Sequence, residues 1–527
     1  MIALTIILLV VFFAVMIGVG IYSRRQATDV NGFVLGGRSV GPWLTAFAFG
    51  TSYFSAVIFV GYAGQFGWLF GLASTWAGLG NAFIGSLLAW NILGRRTRIM
   101  TQHIDAKTMP DYFGKRFDST PLKILASLIV FVFLIPYTAS LYNGLSSLFG
   151  LVFNIPYWVV ILIMAVLTGF YVIFGGYMAT AINDFIQGII MLFGIVAVIG
   201  AVLTQNGGLL NASKALSAVP AEGWTGGAFT SFFGPDPLFL LFVVILTSLG
   251  TWGLPQMVGK FYAIKSENQI HKGTVISTIF AIIVAGGCYF LGGFGRLYAD
   301  KISFSASGKP LFDTIIPAML STLSPVIIAV VIVLVLSASM STLSSLVLTS
   351  SSTFTLDVIK PAAKKEMSEK KQVLIMRIFI VFFIIVSAVI AVIKDANPGV
   401  TFIAQMMGVS WGGLAGAFLA PYLYGLYWKK VTKSAAVVCF IWGTALAITQ
   451  FVFSMTGVNV ASFPPFFALM FKTSIHSGAF AMIGGLIIVP LVSLITPKLK
   501  KEFVDGIFSC YEGTASVKKT TALPDAE

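Results

Sequence analysis

The feature of this sequence that most constrains its fold is a succession of apolar runs, each about 20 residues long. A helix of about 20 apolar residues crosses the roughly 30 Å hydrocarbon core of a bilayer. Hydrophobic residues make up 57% of the 527 positions and charged residues only 10%, whereas about a quarter of a soluble domain is charged. The sequence therefore predicts an all-α integral membrane protein and excludes a soluble globular enzyme.

Thirteen such runs can be delimited, and we number them as spans one to thirteen. They cover residues 2–22, 42–64, 68–92, 124–150, 156–177, 185–204, 238–259, 273–295, 323–350, 373–393, 400–427, 434–456 and 477–496. An odd number of crossings places the two termini on opposite sides of the membrane.

Lys and Arg are unequally divided between the two sets of loops that this numbering defines. The loops after spans one, three, seven, nine and eleven, together with the C-terminal segment, hold 27 of the 33 cations. Because cytoplasmic loops are enriched in Lys and Arg, we expect a multi-pass protein of the plasma or inner membrane, with its N-terminus outside and its C-terminus in the cytoplasm. The net charge of +14 is then a topology signal that requires no nucleic-acid partner.

Two spans carry helix-weakening residues at their midpoints. Span two reads Ala48-Phe49-Gly50-Thr51-Ser52-Tyr53-Phe54-Ser55, and span seven reads Ser248-Leu249-Gly250-Thr251-Trp252-Gly253-Leu254-Pro255-Gln256. Glycine weakens a helix and Pro255 removes a backbone donor. Broken helices at corresponding places in two halves of a chain indicate a midplane binding site between inverted repeats. The alternative is that Gly and Ser only permit close helix packing.

Span nine carries a stripe of hydroxyl groups. At 100° per residue, one helix face collects Ala338, Ser341, Thr342, Ser345 and Thr349. Hydroxyls and the free carbonyls of an interrupted helix can replace the hydration shell of a small hard cation. Since no Asp or Glu lies within the thirteen runs, the pattern favours Na⁺ over H⁺, which needs a titrating group. Alternatively, the hydroxyls bond back to carbonyls of their own helix.

Asp184 is the acid nearest to these spans, between the end of span five and the start of span six. It could be a way station for a departing cation. It could equally be an N-cap or first-turn acid that complements the dipole of span six.

Several motifs resemble the sodium:solute symporter family, which includes bacterial proline, pantothenate, sialic acid and galactose carriers. The resemblance covers about residues 1 to 455. Its motifs are Phe33-Val34-Leu35-Gly36-Gly37-Arg38-Ser39 with Gly41-Pro42-Trp43, Met109-Pro110-Asp111-Tyr112-Phe113, Gly175-Gly176 to Gln187, Pro255 to Phe261, Met340-Ser341-Thr342-Leu343-Ser344, and Gly416 to Trp428 followed by Lys429-Lys430. The order and spacing of these motifs against the spans carry the resemblance.

The resemblance implies a LeuT-type fold, which is a five-plus-five inverted repeat with extra helices at both ends. It divides the chain into 1–41 (first helix and cytoplasmic loop), 42–204 (first repeat), 205–237 (outside loop), 238–428 (second repeat), 429–497 (helices twelve and thirteen) and 498–527 (cytoplasmic tail). It also implies a sodium site formed by Thr51, Phe54, Ala338, Ser341 and Thr342. Asp184 matches a family acid on the inward sodium path.

The residues that would contact the solute are less well defined. The candidates from the two broken spans and span four are Ser52, Tyr53, Ser55, Tyr137, Thr251, Trp252 and Gln256. The proline-carrier branch of the family has an Asp in span two at the position where this chain has Tyr53. This departure favours a solute other than proline. Among the deeper tryptophans, Trp76, Trp252 and Trp411 could stack on a solute or simply pack in the core.

The predicted function is Na⁺-coupled symport of a small polar solute, such as an amino acid, an organic acid or a sugar-like molecule, with no organic cofactor. Two alternatives remain open, which are an H⁺-coupled symporter of the same fold and a membrane sensor that binds solute without moving it. A membrane-embedded enzyme is disfavoured because the spans offer no His, Asp or Glu pair as acid and base. The sequence does not indicate the oligomeric state.

Overall fold

The chain forms a bundle of helices in the computed structural model, which describes residues 2–153, 156–305, 308–395 and 403–512. Within these ranges, ten helices are long and apolar enough to cross a membrane. Two of them, Val57–His103 and Tyr157–Gln205, contain 47 and 49 residues, about twice the length that one crossing needs. The all-α membrane fold is confirmed, whereas the number of thirteen spans stays a prediction.

The helices follow the predicted spans closely. The first half of the chain forms Ile2–Ser23, Val30–Leu35, Pro42–Tyr53, Val57–Tyr62, Ala63–Phe70, Thr75–Gly80, Asn81–Leu88, Trp90–Gly94, Arg95–His103, Met109–Arg116, Thr120–Phe153, Tyr157–Gln205 and Leu209–Ser217. The second half forms Pro237–Leu249, Pro255–Ala263, Ile270–Ala281, Ile282–Gly286, Gly287–Gly292, Ile315–Leu320, Pro325–Phe354, Thr355–Ile359, Glu369–Asp395, Ile403–Tyr427, Lys433–Thr456, Pro465–Phe471, Ser474–Ile495 and Lys501–Phe508. Short 3₁₀ turns join several of these helices.

Span two is interrupted where its sequence predicts. Its first half, Pro42–Tyr53, ends at Phe54, whose backbone is extended with φ −79° and ψ 107°. The helix resumes at Val57. The carbonyls of the last turn before such an end lack intrahelical partners, so this break presents free carbonyl oxygens inside the bundle.

Span seven is interrupted in a similar way. The helix Pro237–Leu249 passes through the 3₁₀ turn Gly250–Trp252. Leu254 is extended with φ −88° and ψ 120° before the second half, Pro255–Ala263. Pro255 suits the start of this half because a first-turn residue needs no backbone N–H. The two breaks lie five spans apart, as expected for a pair of repeats.

Spans five and six form one bent helix, Tyr157–Gln205. The bend lies at Gly176, where φ is 54° and ψ is −145°. A Cβ at this position would lie 2.8 Å from the Phe33 carbonyl oxygen, so both the backbone angle and the space require glycine. Asp184 lies eight residues beyond the bend, which excludes the predicted alternative that it is a helix cap or first-turn acid.

Span nine, Pro325–Phe354, is the central helix of the site. It packs against Tyr157–Gln205, Thr120–Phe153 and Pro42–Tyr53. The residues of its hydroxyl stripe from Ala338 to Ser345 are buried. The stripe therefore faces protein rather than lipid.

The loops that are rich in Lys and Arg lie together on one side of the bundle, which we call the basic side. Arg38 after span one donates to the Ala106 carbonyl after span three at 2.7 Å. Arg116 after span three donates to the Gly425 carbonyl at the end of span eleven at 2.8 Å. These contacts agree with the alternation of loops on which the predicted topology depends.

Candidate functional site

Five oxygen atoms converge where the break of span two meets span nine. The Ser341 hydroxyl lies 3.2 Å from the Thr51 carbonyl oxygen, and the Thr342 hydroxyl lies 3.0 Å from the same atom. The Thr342 hydroxyl is also 3.5 Å from the Phe54 carbonyl oxygen, and both hydroxyls are 3.1 Å from the Ala338 carbonyl oxygen. We call these five oxygens the oxygen cage.

Local structure explains why these atoms meet. Thr51 and Phe54 lie at the end of the first half of span two, where helix termination frees the carbonyls. Ala338, Ser341 and Thr342 have helical spacings of three and four residues, which place them on one face. The structure thus brings together all five residues of the predicted sodium site.

The dimensions of the oxygen cage suit a small cation. Five pairs of its oxygen atoms are 3.0–3.5 Å apart. A cation held at about 2.4 Å, a common distance for calcium–oxygen contacts, has octahedral neighbours about 3.4 Å apart. All five ligands are uncharged, so the site matches a monovalent ion better than a divalent one.

Other hydroxyls of span nine bond to their own helix, as the alternative interpretation anticipated. Ser339 donates to the Val335 carbonyl at 2.9 Å and Ser344 donates to the Ser341 carbonyl at 2.9 Å. Ser341 and Thr342 differ because their oxygens also reach the backbone of span two. The two interpretations therefore apply to different residues of the same stripe.

A second group of polar atoms lies near the oxygen cage and makes no hydrogen bond to atoms outside the group within the described residues. It comprises the Ser55 hydroxyl, the Tyr137 hydroxyl and the Trp411 indole N–H, all of which are buried. The Tyr137 hydroxyl lies near both other groups, and the Tyr137 and Trp411 rings meet edge-on with centroids 6.1 Å apart. A Cβ at Gly250 would lie 3.1 Å from the Trp411 ring, so this pocket adjoins both broken spans.

Thr251 and Trp252 bond to span three instead of joining this pocket. The Thr251 hydroxyl lies 3.0 Å from the Gly85 carbonyl oxygen, and the Trp252 indole donates to the Ile84 carbonyl at 3.0 Å. These contacts fasten the break of span seven to the neighbouring helix. Both side chains therefore face span three rather than the pocket of Ser55, Tyr137 and Trp411.

The three remaining solute-site candidates, Ser52, Tyr53 and Gln256, lie in different surroundings. The Ser52 hydroxyl is 2.9 Å from the Ser345 hydroxyl and bonds to the Ala48 carbonyl. Tyr53 is buried with an unpartnered hydroxyl in the described part of the chain. Gln256 is buried and lines a narrow cavity that continues toward the basic side.

Lys260 is a functional candidate that the sequence analysis missed, since it was counted among the loop cations. Its ammonium lies 3.6 Å from the Asp184 carboxylate, and the two side chains are 4% and 0% exposed. It also donates to the Ser345 hydroxyl at 3.0 Å. The carboxylate beside the start of span six and the ammonium group beside the end of span seven turn inward and pair, although neither residue lies within one of the predicted apolar runs.

A narrow cavity leads from this ion pair toward the basic side. Lys260, Ser345 and Thr349 line one part of it, and Thr353 and Thr108 line another. Hydroxyl groups thus continue along span nine beyond the oxygen cage.

An ion network lies beside the basic-side part of this cavity. The Thr108 hydroxyl bonds to Asp357. Lys123 bridges Asp357 at 3.2 Å and Asp111 at 2.8 Å. Burial raises the pKa of the Asp111 carboxyl, but the nearby Lys123 and Lys115 ammonium groups outweigh that effect and hold its pKa below the usual value. This network joins the loop after span three to the end of span nine.

Comparison with known proteins identifies the family to which this arrangement belongs. A profile described as the sodium:solute symporter family matches residues 33–443. The chain belongs to the sodium:solute symporter family. The resemblance predicted from the motifs is confirmed.

Two relatives show how similar this chain is to other transporters. The chain is 30% identical over 446 residues to the osmoregulated proline transporter OpuE of Bacillus subtilis, covering 84% of this chain and 88% of that protein. It is 29% identical to a sodium/proline symporter of Staphylococcus aureus, covering 94% of this chain and 93% of that protein. Both relatives are transporters, and the chain is a transporter rather than an enzyme.

A solved structure confirms the fold of the family member. The structure of a Na⁺-coupled sialic acid symporter in a substrate-bound outward-open state superposes with a TM-score of 0.71 at 16% identity. It covers 94% of this chain and 99% of that protein. The LeuT-type fold predicted for this chain is therefore confirmed, and the family assignment supports sodium as the coupling ion.

Proposed function

We propose that this symporter couples the inward movement of Na⁺ to the uptake of a small polar solute by alternating access. The observation that carries the proposal is the oxygen cage, which joins the free carbonyls of span two to two hydroxyls of span nine. Sodium bound there would hold the two helices together and stabilise one arrangement of the bundle.

Ion and solute can be coupled because their candidate sites share one interrupted stretch. Thr51 and Phe54 supply carbonyls to the oxygen cage, and Ser55 follows immediately with an unpartnered hydroxyl in the solute pocket. An ion that fixes this stretch also fixes Ser55. By linkage, solute binding must then raise sodium affinity by the same factor.

The driving force is sufficient for accumulation. One charge that falls through about 100 mV supplies roughly 2.3 kcal/mol. At about 1.4 kcal/mol per tenfold, this supports a concentration ratio of about 45 before the sodium gradient is added.

The proposed solute pocket is formed by Ser55, Tyr137 and Trp411. All three side chains can donate a hydrogen bond, and the indole can only donate. This set favours a small solute rich in acceptor oxygens, such as a carboxylate-bearing zwitterion or a polyol. Proline is the first solute to test because both relatives described above are named proline transporters, although Tyr53 departs from the proline-carrier pattern.

We propose that sodium leaves along the hydroxyl groups of span nine, past Asp184 and toward the basic side. This side would be the cytoplasmic side of the plasma or inner membrane, because it carries most of the Lys and Arg residues. The N-terminus would then be outside the cell.

Uptake by the purified protein in liposomes tests the proposal. Labelled amino acids, organic acids and sugars are offered with an inward gradient of NaCl or of KCl, and in sodium-free buffer with a pH gradient. We expect accumulation of one solute class that requires NaCl. Accumulation driven by the pH gradient alone would support proton coupling, and sodium-dependent binding without uptake would support a sensor.

A further inference from the structure

An apolar groove lies on the outer surface of the bundle, between spans five and ten. It has a volume of about 780 Å³ and is lined by aliphatic and aromatic residues. Val166 on one wall and Ile385 on the other are 60% and 55% exposed, so the described part of the chain leaves the groove open. From Val381 to Val392 the groove follows span ten for about 16.5 Å at 1.5 Å per residue. This length matches the roughly 15 Å depth of one leaflet of the hydrocarbon core.

The groove ends at a positive charge on the basic side. Spacings of three and four residues place Arg377 on the same face of span ten as the groove residues Val381, Ile385 and Ala388. The helix begins at Glu369, on the basic side. Because side chains tilt toward the start of their helix, the Arg377 guanidinium extends from the groove toward the basic side.

Arg24 lies at the same end of the groove. It follows Ser23 of span one, and a Cβ at Gly175 of span five would lie 3.3 Å from the Ser23 Cβ. Gly175 adjoins Phe174, the groove residue of span five nearest to the basic side. The positive charges of Arg24 and Arg377 are close enough to repel each other. Two guanidinium groups therefore flank the basic-side end of the groove.

These two guanidinium groups lack a counterion. Neither forms an ion pair within the described ranges, and the buried Arg377 Nε has no acceptor there. The Arg377 Cζ lies 5.7 Å from the centre of the Phe33 ring, a contact that holds the group but leaves its charge unbalanced. Six other arginines each contact a carboxylate or a backbone carbonyl: Arg38, Arg95, Arg96, Arg98, Arg116 and Arg296. Two like charges side by side are unfavourable, and an anion between them would remove this cost.

We propose that spans five and ten bind one anionic phospholipid, with an acyl chain in the groove and the phosphate between Arg24 and Arg377. Basic pockets at the cytoplasmic ends of membrane helices suit anionic head groups. A guanidinium group can donate two parallel hydrogen bonds to one phosphate. This inference goes beyond the proposed function and does not depend on the coupling ion.

Two other occupants of the groove are disfavoured by charge. A zwitterionic lipid would bring its own ammonium group to two uncompensated cations. A second copy of this chain, related by a two-fold axis along the membrane normal, would present the same surface. Its Arg24 and Arg377 would then lie at the same end and increase the repulsion.

Native mass spectrometry of the detergent-purified chain tests the charged end of the site. The protein is titrated with phosphatidylglycerol and with phosphatidylcholine that carry identical acyl chains. At about fivefold for each cation, we expect one phosphatidylglycerol per chain to bind about 25-fold more tightly than phosphatidylcholine. Arg24→Gln and Arg377→Gln should each weaken phosphatidylglycerol binding about fivefold. Arg25→Gln is the matched control, since it removes the neighbouring exposed charge and should leave the affinity unchanged.

A second pair of variants tests the groove itself. Val166→Trp places a large side chain in the groove, whereas Ile163→Trp places the same side chain on an exposed position of the same helix outside it. We expect Val166→Trp to lose the bound phosphatidylglycerol and Ile163→Trp to keep it. Arg24, Val166 and Ile163 are exposed, so these variants should fold, and thermal denaturation checks that they do.

Several outcomes would overturn the inference. They are equal affinity of the unaltered protein for the two lipids, equal affinity of Arg24→Gln and Arg25→Gln for phosphatidylglycerol, and equal affinity of the two tryptophan variants. A dimer that only Val166→Trp dissociates would also overturn it, because a second copy would then fill the groove. Sodium coupling is measured separately by the uptake assay, so the two proposals can fail independently.

Discussion

Replacing Ser341 by alanine removes one of the five oxygens of the cage. In the structure, the Ser341 hydroxyl contacts the Thr51 and Ala338 carbonyls, and the Thr342 hydroxyl contacts the same two atoms. In the variant, the Thr342 hydroxyl therefore still lies within hydrogen-bonding distance of both carbonyls, to which it can donate its one proton. We expect a small change in folding stability and a large change in sodium affinity.

The size of the change in affinity can be estimated from interactions of neutral groups with charges. A hydrogen bond to a charged group contributes about 1.5–3 kcal/mol. A contact between a hydroxyl oxygen and a cation is also an interaction of a dipole with a charge, so we use the same range of energies for it. At about 1.4 kcal/mol per tenfold, loss of one ligand weakens sodium binding by about 10- to 100-fold. Water can fill part of the gap, so we expect the lower end for Ser341→Ala.

Ser339→Ala is the matched control for this measurement. Ser339 is buried on the same helix, two residues away, and its hydroxyl donates to the Val335 carbonyl of that helix. The assay is solute uptake as a function of sodium concentration, accompanied by the thermal shift that sodium produces in the purified protein. The solute half-saturation concentration should also rise in Ser341→Ala at low sodium, as reciprocity requires. Equal sodium dependence in the two variants would refute the role of the oxygen cage.

Three further predictions concern residues around the cage. Tyr137→Phe should weaken solute binding by about tenfold, which corresponds to roughly 1.4 kcal/mol. Tyr142 lies on the same helix, and its buried hydroxyl is about 140° around the helix from that of Tyr137 at 100° per residue, so Tyr142→Phe should leave solute binding unchanged. Equal solute half-saturation constants of the two variants in uptake assays would contradict the pocket. Thr251→Val should lower the free energy of unfolding by about 1 kcal/mol in thermal denaturation while leaving solute affinity unchanged, and the opposite result would return Thr251 to the pocket. Arg116→Met should lower the free energy of unfolding by about 1–3 kcal/mol, because the buried Arg116 donates to the Gly425 carbonyl. The sodium half-saturation constant should stay the same. A shift in that constant at unchanged stability would refute a purely structural role.

The oxygen cage could be predicted from the sequence because each of its components has a local cause. Gly50 and the following hydroxyl residues weaken span two, and Pro255 begins the second half of span seven. Helical periodicity alone places Ala338, Ser341 and Thr342 on one face. Their meeting with span two came from the resemblance to the sodium:solute symporter family rather than from periodicity.

The solute pocket was less predictable because it depends on how helices face each other. Thr251 and Trp252 lie at the break of span seven, yet their side chains turn to the carbonyls of span three. Trp411 lies in an apolar helix that gives no sign of which face is central. The sequence records that these residues are deep in the membrane, but not which neighbour each side chain contacts.

Lys260 was missed because its position was judged from the end of an apolar run. The break at Leu254 is a better reference point, since Lys260 is the sixth residue of the second half of span seven. At 1.5 Å per residue, this is about 9 Å beyond the break, which is less than the roughly 15 Å from the bilayer midplane to the edge of the hydrocarbon core. A charged residue so close to a midplane break must find a partner inside the bundle, and Asp184 is that partner.

The shared position of the cage and the ion pair has a consequence for the transport cycle. Span nine contributes Ser341 and Thr342 to the cage, and Ser345 one turn further accepts from Lys260 and contacts Ser52. If span two moves away from span nine to open the basic side, the contacts of Thr51 with the cage and of Ser52 with Ser345 are lost in the same step. Under the proposed function, release of sodium and release of Ser345 from span two are then one event, and Lys260 stays beside Asp184 and keeps that carboxylate neutralised.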